Sequence, residues 1–268
     1  MSPSPESKEA AMSDLPLVLE QRGAVLVATL RRAPVNALDD ALLAALHAAL
    51  DRAERDEGIT LLHLRSDVKA FCAGADLALM RDCFADAEGP DRMTALVARM
   101  QQAFRRLETS PVLTLAEIGG AALGGGFELA LACDLRVAAA EARIGLPEAG
   151  LGLLPGAGGT QRLTQLCGPG VAKRLILGAE VLDGRQAEQL GLVQWALPRA
   201  ELAALAQALA ERLAARPRAA LAAAKACIDA ALDAARDGYA EELRATRALY
   251  EHPPTRRLVA DFLARSAG

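Results

Sequence analysis

Two acidic side chains in this chain have almost no polar company. Glu128 lies in Leu123-Gly124-Gly125-Gly126-Phe127-Glu128-Leu129, and Glu148 in Ile144-Gly145-Leu146-Pro147-Glu148-Ala149-Gly150-Leu151-Gly152. A carboxylate among apolar neighbours is costly unless it is paired or used. Two around one pocket suit removal of a proton at one atom and delivery to another. Glu148 follows Glu128 by 20 residues, with one strand expected between them, a separation that can bring both to the same end of a sheet. Taken alone, Glu128 also reads as a first-turn acid complementing a helix dipole.

The glycines before Glu128 carry a second kind of chemistry. Between a strand and a helix they let backbone N–H groups approach a ligand with no Cβ in the way. The helix N-terminus adds unpaired donors and a positive dipole end. Such a turn stabilises an anion, or an oxygen that becomes one during reaction. Tight strand-to-helix packing explains the same glycines equally well. The small residues of Lys69-Ala70-Phe71-Cys72-Ala73-Gly74-Ala75-Asp76-Leu77 can set a second backbone donor beside that turn. Asp76 suits a capping role there, and Cys72 reads as a packed small residue rather than a nucleophile. Pro155-Gly156-Ala157-Gly158-Gly159-Thr160-Gln161-Arg162 resembles a phosphate loop, but no Lys-Ser/Thr follows, so it reads as a turn opening a helix.

The elements that must position these groups follow from periodicity. Leu17–Glu20 and Ala24–Leu30 read as a hairpin about Gln21-Arg22-Gly23. After the Ala33-Pro34-Val35-Asn36 loop, Asp39 or Asp40 caps a helix with Leu42, Leu43, Leu46 and Leu50 on one face. Thr60–Leu64, Pro111–Ile118 and Leu135–Ala138 read as strands. Helices are expected around Leu77 and Met80, over Arg92–Glu108 and over Gly125–Cys133. Alternating strands and helices predict an α/β layered core. From Ala200 to Ala264 the pattern is helical, with breaks at Pro217, Asp237-Gly238 and Pro253-Pro254. The expected organisation is a loose leader over residues 1–15, an α/β core over 16–199 and a helical C-terminal subdomain over 200–268.

Composition removes several classes. The 268 residues carry 30 basic and 34 acidic side chains, a net charge of −4, which argues against binding nucleic acid through bulk charge. Aromatics are only 3%, too few for base-stacking platforms. No apolar run reaches the ~20 residues of a membrane span, and the polar N-terminus lacks a signal core, so no membrane is expected and the location reads as cytoplasmic. The five cysteines are scattered without a CxxC pair, and His47, His63 and His252 are isolated; neither disulfides nor a metal site is suggested. No GxSxG elbow, HExxH or dinucleotide fingerprint occurs.

Together the motifs resemble one family. Asn36-Ala37-Leu38, Ala73-Gly74-Ala75-Asp76-Leu77, Leu123-Gly124-Gly125-Gly126-Phe127-Glu128-Leu129-Ala130, Cys133-Asp134, and Leu146-Pro147-Glu148 through Gln161-Arg162-Leu163 are similar to the enoyl-CoA hydratase/isomerase (crotonase) superfamily, over nearly the whole chain after Leu17. The resemblance implies a crotonase-like spiral of ββα units with a helical trimerisation region, assembled as a trimer or dimer of trimers. It implies an acyl-CoA thioester as substrate and no cofactor, coenzyme A being part of the substrate. The Ala75 and Gly125 amides would hold the thioester oxygen. Glu128 would position and deprotonate water, and Glu148 would deliver a proton to Cα, giving syn hydration of a 2-enoyl-CoA. Substrate contacts are implied at Pro34, Val35, Ala37, Ala73, Asp76, Leu77, Gly124, Pro147 and Gly156. Ala78 stands where some hydratases carry a Lys, so phosphate contacts are sought at Arg31, Arg32 or Arg81. The C-terminus lacks the Glu-Gly step before the last helix of many fatty-acid hydratases. The alternatives are a Δ3-Δ2-enoyl-CoA isomerase, which needs one carboxylate, a thioester hydrolase, and a non-catalytic acyl-CoA-binding protein on the same fold.

Overall fold

The computed structural model describes residues 15–266. The chain begins with the expected hairpin, β1 (Leu17–Arg22) and β2 (Val25–Leu30). Its turn falls later than the sequence suggests: Arg22 pairs with Val25, and Gly23 with φ +59° makes the two-residue reversal that a twisted hairpin favours. Strands β3 (Leu61–Ser66), β4 (Leu113–Ile118), β6 (Leu135–Ala139) and β9 (Trp195–Leu197) complete a six-stranded sheet in the order β1-β2-β3-β4-β6-β9. Only the hairpin is antiparallel. A smaller sheet of β5 (Ala122–Leu123), β7 (Ile144–Gly145) and β8 (Val181–Leu182) lies beside it.

The repeat that positions the site is strand, short strand, helix. After β4 the chain enters β5 and then α4 (Gly125–Leu131); after β6 it enters β7, a 3-10 turn at Pro147–Leu151 and α5 (Gly159–Leu177). After β3 it reaches Cys72, bridged to Ala122 at the edge of the small sheet, and then α2 (Leu77–Cys83). This is the expected ββα spiral. Two strands, not one, separate Glu128 from Glu148, because a two-residue β7 is too short to give a period-2 signal.

Helix α1 (Asp40–Arg55) is capped by Asp39, which accepts the Leu42 N–H, and buries Leu42, Leu43, Leu46 and Leu50. Helix α3 (Gly89–Thr109) packs on α1 and buries Leu96, Met100, Phe104 and Leu107. Beyond α6 (Gly184–Gln189), helix α7 (Arg199–Ala214) lays Leu202, Ala206 and Ala210 across β2, β3, β4 and β6. Helices α8 (Arg218–Ala230), α9 (Gly238–Glu251) and α10 (Pro253–Ser266) follow, each starting at an expected break. Among the isolated histidines, His63 is a core residue: its Nε2 lies 3.0 Å from Glu117 Oε2 between β3 and β4. The expected leader at 1–15 falls almost wholly outside the described residues.

Candidate active site

Gly124 decides how α4 starts. Its φ of +54° is open to few residues other than glycine. A Cβ there would also stand 2.9 Å from Glu148 Oε1, so the carboxylate of Glu148 lies directly over the glycine turn. On the other side, the loop through Ala73-Gly74-Ala75 presses on the same helix end. Gly74 (φ +92°) is packed so closely that its Cβ would sit 3.3 Å from the Gly125 nitrogen. A Cβ on Gly126 would lie 1.9 Å from the Cys72 carbonyl oxygen, so close packing accounts for part of the glycine run, as the packing reading holds. Among the described residues neither the Ala75 nor the Gly125 N–H donates to any acceptor. An unpaired amide is expected in the first turn of a helix; here a second one comes from the loop pressed against it.

A buried network holds that loop. Asn36 is fully buried with φ +51°. Its Nδ2 donates to Ser66 Oγ and the Phe71 carbonyl at 2.8 Å each, and its Oδ1 accepts the Arg32 N–H at 2.8 Å. Arg32 in turn donates to the Ala37 carbonyl at 3.0 Å and pairs with Asp76 at 2.9 Å and Asp39 at 3.1 Å. Asp76 caps α2 by accepting the Ala78 N–H, and the Arg32 guanidinium beside it holds its carboxyl below the usual carboxylate range. The Cys72 thiol donates to the Asn36 carbonyl, and burial pushes it up to about 12; it is a packed residue.

Glu128 lies in the first turn of α4, where every residue is buried. It is 2% exposed. Its Oε1 accepts the Gly159 N–H at 2.7 Å. Burial is the main cause that lifts its carboxyl to about 7; the Gly159 and Ala157 amides oppose that rise, and the charge of Glu148 adds to it. Glu148 is raised as well, by burial first, and its Oε2 is buried with no hydrogen-bond partner among the described residues. The exit of α4 is fixed by buried Arg136, which donates to the Cys133 and Ala130 carbonyls, and by Asp134, which accepts Thr114 and pairs with Lys225 of α8.

Both carboxylates open on one cavity of about 510 Å³. Of the residues expected from sequence, Ala73, Ala75, Gly124, Gly125, Pro147 and Gly156 line it with them. Pro34, Val35, Ala37 and Asp76 do not form its wall. They belong to the adjoining loops, where the Val35 carbonyl accepts the Ala73 N–H. Leu77 opens α2, and its side chain is outside the described residues. Arg31 pairs with exposed Asp67 and Arg81 with exposed Asp82, while Arg32 is committed to the loop network. The glycines at 156–159 close the site: Gly158 (φ +104°) starts α5 and Gly159 approaches Glu128 too closely for a Cβ. Sequence reasoning missed the far wall from α2 and α3, built from Met80, Met93, Thr94, Val97 and Met100. The helices that carry it are expected from sequence, around Met80 and over Arg92–Glu108, but their place at the cavity is not.

A ββα spiral that brings one buried and one half-buried carboxylate to a glycine-built helix end defines a class, and sequence comparison agrees with it. The profile of the family described as enoyl-CoA hydratase/isomerase matches residues 20–258, and the chain belongs to that family. It is 42% identical over 179 residues to the mitochondrial methylglutaconyl-CoA hydratase of Mus musculus, covering 66% of this chain and 55% of the mouse protein. It is 40% identical over 198 residues to a probable enoyl-CoA hydratase of Bacillus subtilis, covering 74% of each. The match therefore spans about half of the mouse relative and about three quarters of the bacterial one. The structure of Pseudomonas aeruginosa DspI superposes with a TM-score of 0.86 at 35% identity, over 93% of this chain and 94% of that one. Among the described residues no helix is long and apolar enough to cross a membrane.

Proposed function

We propose that the protein adds water across the double bond of a 2-enoyl-CoA thioester, giving a 3-hydroxyacyl-CoA. The observation that carries this reading is the shared cavity: Glu128 and Glu148 open on it beside the unpaired amides of Ala75 and Gly125. The thioester oxygen lies between those two N–H groups. Glu128 takes a proton from water as the water oxygen bonds to Cβ. The π electrons move to the thioester oxygen as an enolate, which the amides stabilise, each worth roughly 3–4 kcal/mol in comparable sites. The enolate then takes a proton from Glu148 at Cα. One water is added, one proton passes from Glu148 to Glu128, and exchange with solvent resets the pair.

The active form holds one proton on two carboxylates. Burial raises both carboxyls, and the charge of Glu148 raises Glu128 further, so the two titrate as a coupled pair. An isomerase would need one carboxylate only; the second favours hydration.

Crotonyl-CoA tests the proposal. The expected result is loss of the conjugated enoyl-thioester absorbance with a mass gain of one water. A 3-enoyl-CoA converted while crotonyl-CoA is ignored makes the protein an isomerase. Free thiol release makes it a thioester hydrolase. Binding with no turnover makes it a carrier.

The reading includes a homo-oligomer. Ile228, Leu232, Tyr239, Leu243, Tyr250 and Phe262 lie exposed on α8, α9 and α10, an apolar surface of the kind that subunit contacts bury. Sedimentation at the mass of three or six chains is expected; a monomer at micromolar concentration refutes it.

A further inference from the structure

Every methionine within residues 15–266 lines the cavity that holds Glu128 and Glu148. Met80 comes from α2, and Met93 and Met100 from α3. Helix α3 reaches both ends of the reacting centre. The Met100 methyl would stand 2.8 Å from a Cβ on Gly125, and Val97 Cγ1 would stand 3.0 Å from one on Gly156. An acyl chain whose thioester sits at Gly125 therefore runs along a wall of thioethers, with Leu96 and Val97 between them.

That wall offers no cation among the described residues. The charged side chains among them that line the cavity are Glu128 and Glu148 alone. Thr94, its other polar side chain, spends its hydroxyl on the Pro90 carbonyl at 2.8 Å. Guanidiniums on the flanking helices are engaged elsewhere. Arg162 donates to the Ala157 carbonyl and pairs with Glu108, and Arg99 pairs with Asp40 at 2.7 Å.

We infer that this cavity selects thioesters with apolar acyl tails, straight or branched and of varied length, and rejects tails that end in a carboxylate. Methionine has three rotatable bonds and a polarisable sulfur, so three of them refill the space around tails of different shape. A carboxylate-ended tail would lose its water, find no cation or free side-chain donor on the wall, and face two acidic groups. The inference sets this chain apart from its mouse relative, whose name specifies methylglutaconyl-CoA, a thioester with a terminal carboxylate. It rests on the hydratase reading for the reaction, but the binding preference stands without it.

The experiment has a kinetic and a binding arm. Hydration is measured with crotonyl-CoA, a methyl-branched 2-enoyl-CoA, 2-octenoyl-CoA and 3-methylglutaconyl-CoA. Binding is measured by calorimetry with butyryl-CoA and glutaryl-CoA. The three apolar substrates are expected within about 10-fold of one another in kcat/KM, and the acidic one at least ~100-fold below them. Glutaryl-CoA is expected to bind at least ~10-fold more weakly than butyryl-CoA. Val97→Arg is expected to raise the acidic-to-apolar ratio at least ~10-fold by supplying the missing cation. Thr94→Arg, at an exposed position one turn earlier, repeats the test should Val97→Arg not fold. Comparable kcat/KM for 3-methylglutaconyl-CoA and crotonyl-CoA, or equal binding of glutaryl-CoA and butyryl-CoA, overturns the inference. Should no thioester be hydrated, the hydratase reading fails while the binding arm still decides the tail preference.

Discussion

Replacing Glu128 with glutamine should shift stability in favour of the variant, relative to wild type, as pH rises, while removing its activity. The carboxyl is 2% exposed, and burial lifts it from its ordinary 4.5 to about 7. Protonation is therefore favoured in the folded state relative to the unfolded chain. The stabilisation that this shift provides is complete below about pH 4.5 and is lost as pH rises through about 7. At about 1.4 kcal/mol per pH unit, wild type forfeits on the order of 3 kcal/mol by pH 8 and under about 1 kcal/mol at pH 5. Glutamine still accepts the Gly159 N–H and has no charge to bury. Its absolute offset from wild type depends on how well the amide fits, but the change in that offset between pH 5 and pH 8 does not. Urea unfolding of both proteins at pH 5, 6, 7 and 8 should show the variant gaining roughly 2–3 kcal/mol relative to wild type across that range. Turnover of crotonyl-CoA at pH 7.5 should fall at least ~100-fold, the scale of general acid–base catalysis. A stability difference independent of pH would refute the claim that Glu128 is held buried at an energetic cost. Unchanged turnover would remove it from the chemistry.

Glu148→Gln is expected to lower turnover of crotonyl-CoA by at least ~100-fold with thioester binding retained; steady-state kinetics beside calorimetry check it, and undiminished kcat excludes Glu148 as the acid. Gly124→Ala combines a positive φ with a Cβ 2.9 Å from Glu148 Oε1, so at least ~10-fold of kcat should go, with strain of about 1–2 kcal/mol seen as a lower urea midpoint; wild-type kcat in a folded protein would show that the Glu148 carboxylate is not held by that turn. Asn36→Ala leaves the carbonyl of Phe71 and the N–H of Arg32 without their partner, and should cost about 2–4 kcal/mol. Because the loop it releases carries the Ala75 amide, kcat should fall more than KM rises, and the thioester carbonyl stretch of a bound acyl-CoA should shift back toward its solution frequency. An unaltered stretch would leave Asn36 a purely structural residue.

Most of the fold is legible in sequence because its elements are long and their faces are one-sided. The stripe Leu42, Leu43, Leu46 and Leu50 reports α1, and Pro217, Asp237-Gly238 and Pro253-Pro254 mark the breaks among the C-terminal helices. The small sheet is not legible. Its strands have two residues each, too few for any period to show, and their pairing joins segments distant along the chain. The buried His63–Glu117 contact escapes for the same reason, since the two residues meet only through the register of β3 and β4.

What the residues determined by themselves is the chemistry on offer: two carboxylates stranded among apolar neighbours, and glycine turns where no Cβ blocks an amide. Those are local properties of composition and spacing. Tertiary structure alone decided that the Ala73–Ala75 loop presses on the start of α4, that the 156–159 turn supplies the amide bound by Glu128, and that three methionines wall the same cavity. Each is a contact between segments whose separation along the chain carries no pattern, and packing of the spiral creates it. The same burial that brings the carboxylates together is what raises both, Glu128 to about 7, so their reactivity belongs to the fold and not to the motif.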